Sequence, residues 1–546
     1  MTQTAEDVIR SESSHVMRGI GIQNLSQRES APTYHGCIKQ QRVISVNVRH
    51  PEIPYGTDFT DSELGKQWRS IDWTAVKNTV NNLQSRIARA AKECKWHKVR
   101  KLTRLLTHSH HAKLLAVKTV TDNKGGKTPG IDGVVWTSTA DKMKAVLSLT
   151  DKGYKSKPLK RVYIPKKNGK MRPISIPTLH DRAMQTLYAS AMSPIEASTS
   201  DSTSFGFKKF RSTKDAYTYT HICLSWKRSA EYILEGDIKS FFDTINHDWL
   251  LNNIPLKRSI LAQFLKTGYF EEGRLFPTDS GTPQGGTLSP ILGNMALNGI
   301  ETELGKAFYS QKDGKINKTC CNKHKINYVR YADDFIVTAD SVETLLEVKE
   351  IIAKFLEIRG LSLSEEKTTI THISKGFDFL GWNFRKYRGK LLPKPSRGSQ
   401  ESIIQKMREI IHQGRTWSQD RLIANLNPII RGWALYHKHA VSSDVFSNLD
   451  HILWGMLYAW AKRRHHNKGK AWIVHRYWHK IWNREWTFAS GKLILASFSD
   501  TKIERFRMAK LERNPYLDRE YFENWRLKRR NFFPPTQQVT LMQFFG

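Results

Sequence analysis

The chain has 546 residues, enough for several domains, and its 39% hydrophobic and 11% aromatic content excludes wholesale disorder. Its 87 Lys+Arg against 51 Asp+Glu leave a formal charge of +36, which points to a long polyanion and away from a small acidic substrate. No run approaches the roughly 18 apolar residues of a bilayer span, and Met1 to Arg28 carries Glu6, Asp7 and Glu12 with no apolar leader core, so a cytoplasmic protein of a bacterial or organellar matrix, without a membrane partner, is expected.

The five cysteines, Cys37, Cys94, Cys223, Cys320 and Cys321, include no Cys-x-x-Cys spacing, which argues against a zinc ribbon. Residues 1–62, broken by Pro32, Pro51, Pro54 and Gly56, read as an irregular extension. From Trp68 the spacing predicts a helix through Ile71, Val76, Val80, Leu83 and Ile87, then a second through Val99, Leu102, Leu105 and Leu106. Between Thr128 and Trp382 short β-rich runs alternate with helices, the pattern of an α+β core. Past Lys390 strand signals fade and the remainder reads as helical, with Trp417, Trp433, Trp454, Trp460, Trp472 and Trp478 among many cations. Gly389, Pro393, Pro395 and Gly398 mark the break.

Five motifs within the α+β stretch carry chemistry, and a helix follows the fourth. Tyr163 to Ile174 reads as a basic hairpin whose Asn168-Gly169 turn gathers Lys166, Lys170 and Arg172, cations suited to a triphosphate. The run Glu231 to Asp243 is a strand with Asp237 at the end of its apolar part. Gly281 to Leu292 is a loop whose glycines admit close backbone approach while Gln284 offers an amide. Asn327 to Thr338 alternates as strand, turn, strand and places Asp333 and Asp334 at the tip, where their repulsion is relieved by a divalent cation. A helix starting at Asp340 and Glu343 as a capping box, striped by Leu345, Val348, Ile352 and Phe355, runs to Gly360. Gly376 to Trp382 is an aromatic turn after Lys367. If the Asp237 strand lies beside the hairpin, three carboxylates converge as hard oxygen ligands for Mg²⁺, and two such ions suit an in-line transfer that activates a 3′-hydroxyl and stabilises pyrophosphate.

Taken in order, Asp237, Tyr331-Ala332-Asp333-Asp334, Pro283-Gln284-Gly285 and Phe379-Leu380-Gly381 resemble a reverse transcriptase. The spelling of Thr128-Pro-Gly-Ile-Asp-Gly133, Lys170-Met-Arg-Pro173, Ser204-Phe-Gly-Phe207 and Asp237-Ile-Lys-Ser-Phe-Phe242 is closest to group II intron-encoded proteins, over roughly residues 65 to 530. The resemblance implies a right-hand polymerase of fingers, palm and thumb followed by an α-helical maturase region and a basic C-terminal segment. Its spans here are 1–62 for the extension, 63–388 for fingers and palm, 389–490 for thumb and maturase, and 491–546 for a DNA-binding-like segment. It implies two Mg²⁺ on Asp237, Asp333 and Asp334, assisted by the backbone of Ile238, with Lys166 and Arg172 on the triphosphate, Gln284 and Lys367 near the incoming nucleotide, and Phe242 blocking a ribose 2′-hydroxyl.

Leu426-Asn-Pro-Ile-Ile-Arg-Gly-Trp433 and Trp433-Ala-Leu-Tyr-His437 resemble the maturase region, which in this family binds intron RNA and assists splicing. There Lys462, Arg463, Arg464, His465, Lys468, Lys470 and Arg476, interleaved with Trp472 and Trp478, form the expected RNA surface. Arg526, Lys528, Arg529 and Arg530 are the expected DNA contacts, and the cysteine pairs of a zinc-dependent His-Asn-His nuclease do not follow them. The partners implied are intron RNA, an RNA template, a DNA primer or target, and dNTPs. Two other readings are a splicing-only maturase and a host-adopted reverse transcriptase in repair or defence; an RNA-dependent RNA polymerase fits poorly, because its Gly-Asp-Asp box is absent and Phe242 obstructs ribonucleotides.

Overall fold

A computed structural model describes residues 59–165, 169, 171–481 and 484–530, apart from the side chains of Cys320, Arg529 and Arg530; Lys166 and most of the 1–62 extension lie outside the described residues. The helix predicted from Trp68 divides into Asp61–Arg69 and Trp73–Lys92 (α1). Each half has its own cap: Thr60 forms a capping box with Glu63, and the Asp72 carboxylate accepts from the amides of Thr74 and Ala75. Ile71 falls in the break between them. Val76, Val80, Leu83 and Ile87 are buried in one core with Leu187 and Ala191 of Leu179–Thr199 (α2).

The basic hairpin forms from Leu159–Pro165 (β1) and Met171–Ile176 (β2), antiparallel with Pro165 opposite Met171. Gly169 takes φ +77°, the left-handed backbone such a turn needs.

A four-stranded antiparallel sheet carries the centre of the molecule. Its strands are Tyr232–Gly236 (β3), Asn327–Tyr331 (β4), Asp334–Ala339 (β5) and Thr369–His372 (β6), in the order β4-β5-β3-β6. Leu234, Tyr328, Phe335 and Val337 enter the core shared with α1 and α2, whereas Ile233, Val329 and Ile336 enter a second core with Trp382 and Phe384. Both faces are thus covered, which explains why the runs read as nearly continuous apolar sequence. Val342–Glu357 (α3) follows β5, but its cap is Ser341, whose Oγ accepts from the amide of Thr344 at 3.2 Å. The predicted capping residue Asp340 instead faces His324 at 3.4 Å.

Phe377–Phe379 (β7) and Trp382–Phe384 (β8) form the aromatic turn. Beyond it Arg397–Gln413 (α4), Gln419–His437 (α5), Ser443–Arg464 (α6) and Lys470–Tyr477 (α7) enclose a third core around Met407, Leu426, Ile430, Phe446 and Trp460. The expectation of a purely helical remainder is corrected here. Trp478–Ile481 (β9) and Arg484–Phe488 (β10) make a hairpin, since Trp478, Ile481, Trp486, Thr487 and Phe488 are strand formers and Trp478 pairs with Phe488. An extended course then returns to the front of the chain. Arg211 donates to the carbonyls of Ala509 (2.6 Å) and Lys510 (2.8 Å), and Asn514 donates to Ala197 O at 3.1 Å. In Arg519–Arg530 (α8), buried Phe522 stacks on Phe210 at 5.1 Å.

Trp433-Ala-Leu-Tyr-His437 proves to be a joint. Tyr436 stacks on Trp382 with centroids 4.6 Å apart and donates to Leu380 O at 2.9 Å, and His437 shares a hydrogen bond with Ser399 Oγ at 2.9 Å. Burial pushes His437 down to about 3 and His439 down to about 4. Between these values and about 6.5 the unfolded chain binds protons that the folded chain refuses, so the stabilisation is whole above about 6.5 and declines as pH falls toward 4. We expect the unfolding temperature of the wild type to fall more, or rise less, from pH 7 to pH 5 than that of His437→Gln, by the equivalent of about 2 kcal/mol, in circular-dichroism melts.

Candidate active site

Gly236, the last residue of β3, pairs with Phe335 of β5, so Asp237 emerges beside the β4–β5 tip, where Tyr331 pairs with Asp334. Asp237, Asp333 and Asp334 therefore stand at one end of one sheet. The two-residue tip puts Ala332 at φ +59°, a left-handed conformation that costs a non-glycine residue about 1–2 kcal/mol.

Neighbouring groups hold that tip in place. Gly206 lies so close that a Cβ on it would sit 2.2 Å from the Ala332 nitrogen. The Phe205 amide donates to Arg330 O at 2.9 Å, and the Arg330 amide to Thr203 O at 3.1 Å. The Arg330 guanidinium, fully buried, donates to Ala332 O (3.1 Å), Asn294 Oδ1 (3.2 Å) and Asn298 Oδ1 (3.2 Å). Burial raises the carboxyls of Glu196 and Asp201, and the charge of Arg330 works against both rises. Lys208, which donates to Asp201 O at 2.8 Å, is pushed down to about 8 by its burial. Arg330 carries a single signal in the sequence, a lone cation inside a strand of β-formers.

Burial and then the charge of Asp237 raise Asp333, while Arg172 and Lys367 oppose the rise. Asp334 keeps solvent contact, yet crowding by the surrounding protein, then Asp333 and Asp237, push it up to about 6. Lys367 Nζ bonds Asp237 at 2.7 Å. Among the described residues no three such side chains form a ready-made metal cage. The chemistry nevertheless fits a hard divalent cation, because all three donors are carboxylates and burial penalises the uncompensated charge of Asp333 and Asp334. Ile238 bridges to Leu363 through bonds that use Asp237 O and the Lys239 amide, and neither polar group of Ile238 itself.

On the nucleotide side, Phe242 lies in the short helix Phe241–Thr244 after Ser240 at φ +47°, with its ring packed near Gly293. Gln284 donates to the Asp243 carboxylate at 3.2 and 3.3 Å, and Arg172 Nε donates to Gln284 Oε1 at 3.2 Å. The structure thus links Arg172 and Gln284 and adds Asp243, which lies inside the acidic run but has no role in the sequence reading. It also adds Phe207, 52% exposed at φ +58° and 6.4 Å from Phe242.

In the helical region Lys462, Arg463, Lys468, Lys470 and Arg476 face solvent. Arg464 is tied to the carbonyls of Arg415 and Trp417 over the Trp460 ring, and His465 to the Tyr477 hydroxyl at 2.8 Å. Arg526 lies over Phe210 at 5.4 Å, and Lys528 is exposed.

A family model described as reverse transcriptase (RNA-dependent DNA polymerase) matches residues 164–384, and one for the N-terminal domain of reverse transcriptase matches 68–149. A third, the group II intron maturase-specific domain, matches 400–478. The chain belongs to the group II intron reverse transcriptase/maturase family. Protein YkfC of Escherichia coli (strain K12) is 30% identical over 342 residues, which are 57% of this chain and 90% of that protein. The group II intron-encoded protein LtrA of Lactococcus lactis subsp. cremoris is 32% identical over 357 residues, 53% of this chain and 59% of LtrA. The uncharacterized 91 kDa protein in the cob intron of Schizosaccharomyces pombe is 28% identical, and the chain covers 49% of it. This reverse transcriptase/maturase thus spans about half the length of these two intron-encoded relatives, 59% of LtrA and 49% of the cob-intron protein. As a family member it is an RNA-directed DNA polymerase that depends on a divalent metal. No described helix is long and apolar enough to cross a membrane.

Proposed function

We propose that this reverse transcriptase/maturase binds the RNA of its own intron, assists its splicing, and copies RNA into cDNA from a DNA primer during retrohoming, working as a ribonucleoprotein. The observation that carries the reading is the convergence of Asp237, Asp333 and Asp334 at one sheet end beside Arg172 and Gln284. Residues 63–388 serve as fingers and palm, 389–490 as thumb and maturase, and Arg526 and Lys528 contact DNA.

Two Mg²⁺ ions, held by the three aspartates and the dNTP with help from the Ile238 carbonyl, would supply Lewis acidity to the 3′-hydroxyl and to the leaving pyrophosphate. The protein's own groups do the rest. Arg172 binds the triphosphate, oriented by the Gln284–Asp243 pair; Lys367 neutralises Asp237 in the ligand-free chain; Phe242 excludes a 2′-hydroxyl.

The test is primer extension on an RNA template with dNTPs and Mg²⁺, run beside a splicing assay with the intron RNA. Metal-dependent cDNA and faster splicing are expected; faster splicing without cDNA would leave a splicing-only maturase. If Phe242 is the sugar gate, Phe242→Ala should reduce discrimination against ribonucleotides by about 10- to 100-fold in single-nucleotide incorporation. Unchanged sugar selectivity would remove that assignment.

A further inference from the structure

The β9–β10 hairpin and helices α6 and α7 border a cleft of about 1050 Å³ far along the chain from the aspartates. Trp486 lines it, 61% exposed as a residue and with its backbone at φ +62°. A large apolar ring held open to water on a left-handed backbone contributes nothing to the core, and strain of this kind marks functional positions. The hairpin is irregular between His479 and Ile481, and such bulges re-aim side chains. Trp454 provides a second aromatic wall, kept rigid by stacking on Tyr458 at 5.5 Å and by contact with Trp478 at 5.5 Å.

The rim carries two lysines and two acids. Lys470 and Lys480 line the cleft with His451, His475 and His479. Its two acids are engaged: Asp450 accepts from the amides of Phe498 (2.8 Å) and Ser499 (3.0 Å), and Glu485 faces Lys480 at 3.4 Å. Flat aromatic walls with lysines at the edge match the two halves of a nucleotide, a π face that stacks and a phosphate that seeks positive charge. The chain's +36 makes an anionic occupant favourable.

We propose that this cleft takes an unpaired nucleobase of bound RNA, stacked on Trp486 and Trp454, with a flanking phosphate on Lys470. The proposal rests on the reading of the helical region as RNA-binding. It adds to the basic helix surface a discrete pocket selective for single-stranded positions, since a base within a duplex exposes no face to stack.

The experiment compares full-length wild type, Trp486→Ala and Trp486→Tyr for affinity to the intron RNA and to a short single-stranded RNA of mixed sequence. A circular-dichroism melt serves as the check on folding. Trp486→Ala should weaken both RNA affinities by about 5- to 100-fold, as loss of one stacked base does, with Trp486→Tyr near wild type and the melting temperature unchanged. Trp486→Ala binding both RNAs as tightly as wild type would overturn the pocket, whether the cleft then takes a protein segment or nothing. A wild type without preference for intron RNA would overturn the maturase reading, and a Trp486→Ala defect on the short RNA would still sustain the pocket.

Discussion

Asp333→Asn is expected to lower RNA-templated primer extension by about 10³-fold or more while leaving intron RNA binding and assisted splicing within a few-fold of wild type. Asparagine keeps the size of the side chain at the hairpin tip and removes one of three converging charges, so the several kcal/mol of metal-assisted charge stabilisation is lost without disturbing the backbone. The folded chain should be no less stable, because Asp333 already pays for burial and for the nearby charge of Asp237. A thermal melt at or above the wild-type temperature, with cDNA synthesis gone and splicing kept, is the expected pattern. Equal loss of polymerisation and splicing would refute the separation between the sheet-end chemistry and the RNA surface.

Arg330→Met should have the larger effect on stability. Arg330 is the fully buried guanidinium that bonds the Ala332 carbonyl and two asparagines, and its charge opposes the burial cost of Glu196 and Asp201. Methionine fills much of the space but leaves those carboxyls without that cation, and breaking a buried charge set in this way costs about 3–5 kcal/mol. Urea denaturation measures the loss. Protein that remains folded should show reduced turnover with dNTP binding largely retained, since the tip that carries Asp333 loses its anchor while Arg172 and Gln284 are untouched. Arg330→Lys restores the charge without the three-way fork, so it should recover part of the stability and little of the turnover. A loss below about 1 kcal/mol in the methionine variant would show that the network does not bear on the tip.

Much of the sheet end that carries the aspartates is legible in the sequence. The β-formers on both sides of Asp333-Asp334 in Asn327 to Thr338 make a hairpin, and a hairpin of that length has Asp333 at its tip; the apolar run ending at Asp237 predicts a strand that stops at a carboxylate. The turn at Gly169 and the stripe of α3 are equally local. The helix start after β5 was misplaced by one residue because Asp340 and Ser341 are both good caps, and only the competing contact to His324 separates them. The β9–β10 hairpin was overlooked because its short, aromatic strands follow a long helical pattern.

By itself, the sequence determined the charge of the chain, the identity and local geometry of the carboxylates, and the ordered motifs that mark the family, because these depend on residue type and on contacts a few positions apart. The tertiary structure decided that β3 lies between β5 and β6, which brings Asp237 to the tip, and that Gln284 spans Asp243 and Arg172. It also decided that Tyr436 and His437 form a joint, and that residues 501–522 return to meet Arg211 and Phe210. Those contacts join positions from 41 to 312 residues apart. Their partners are selected by burial on both faces of one sheet and by the satisfaction of buried charge, and neither leaves a periodic mark on the chain.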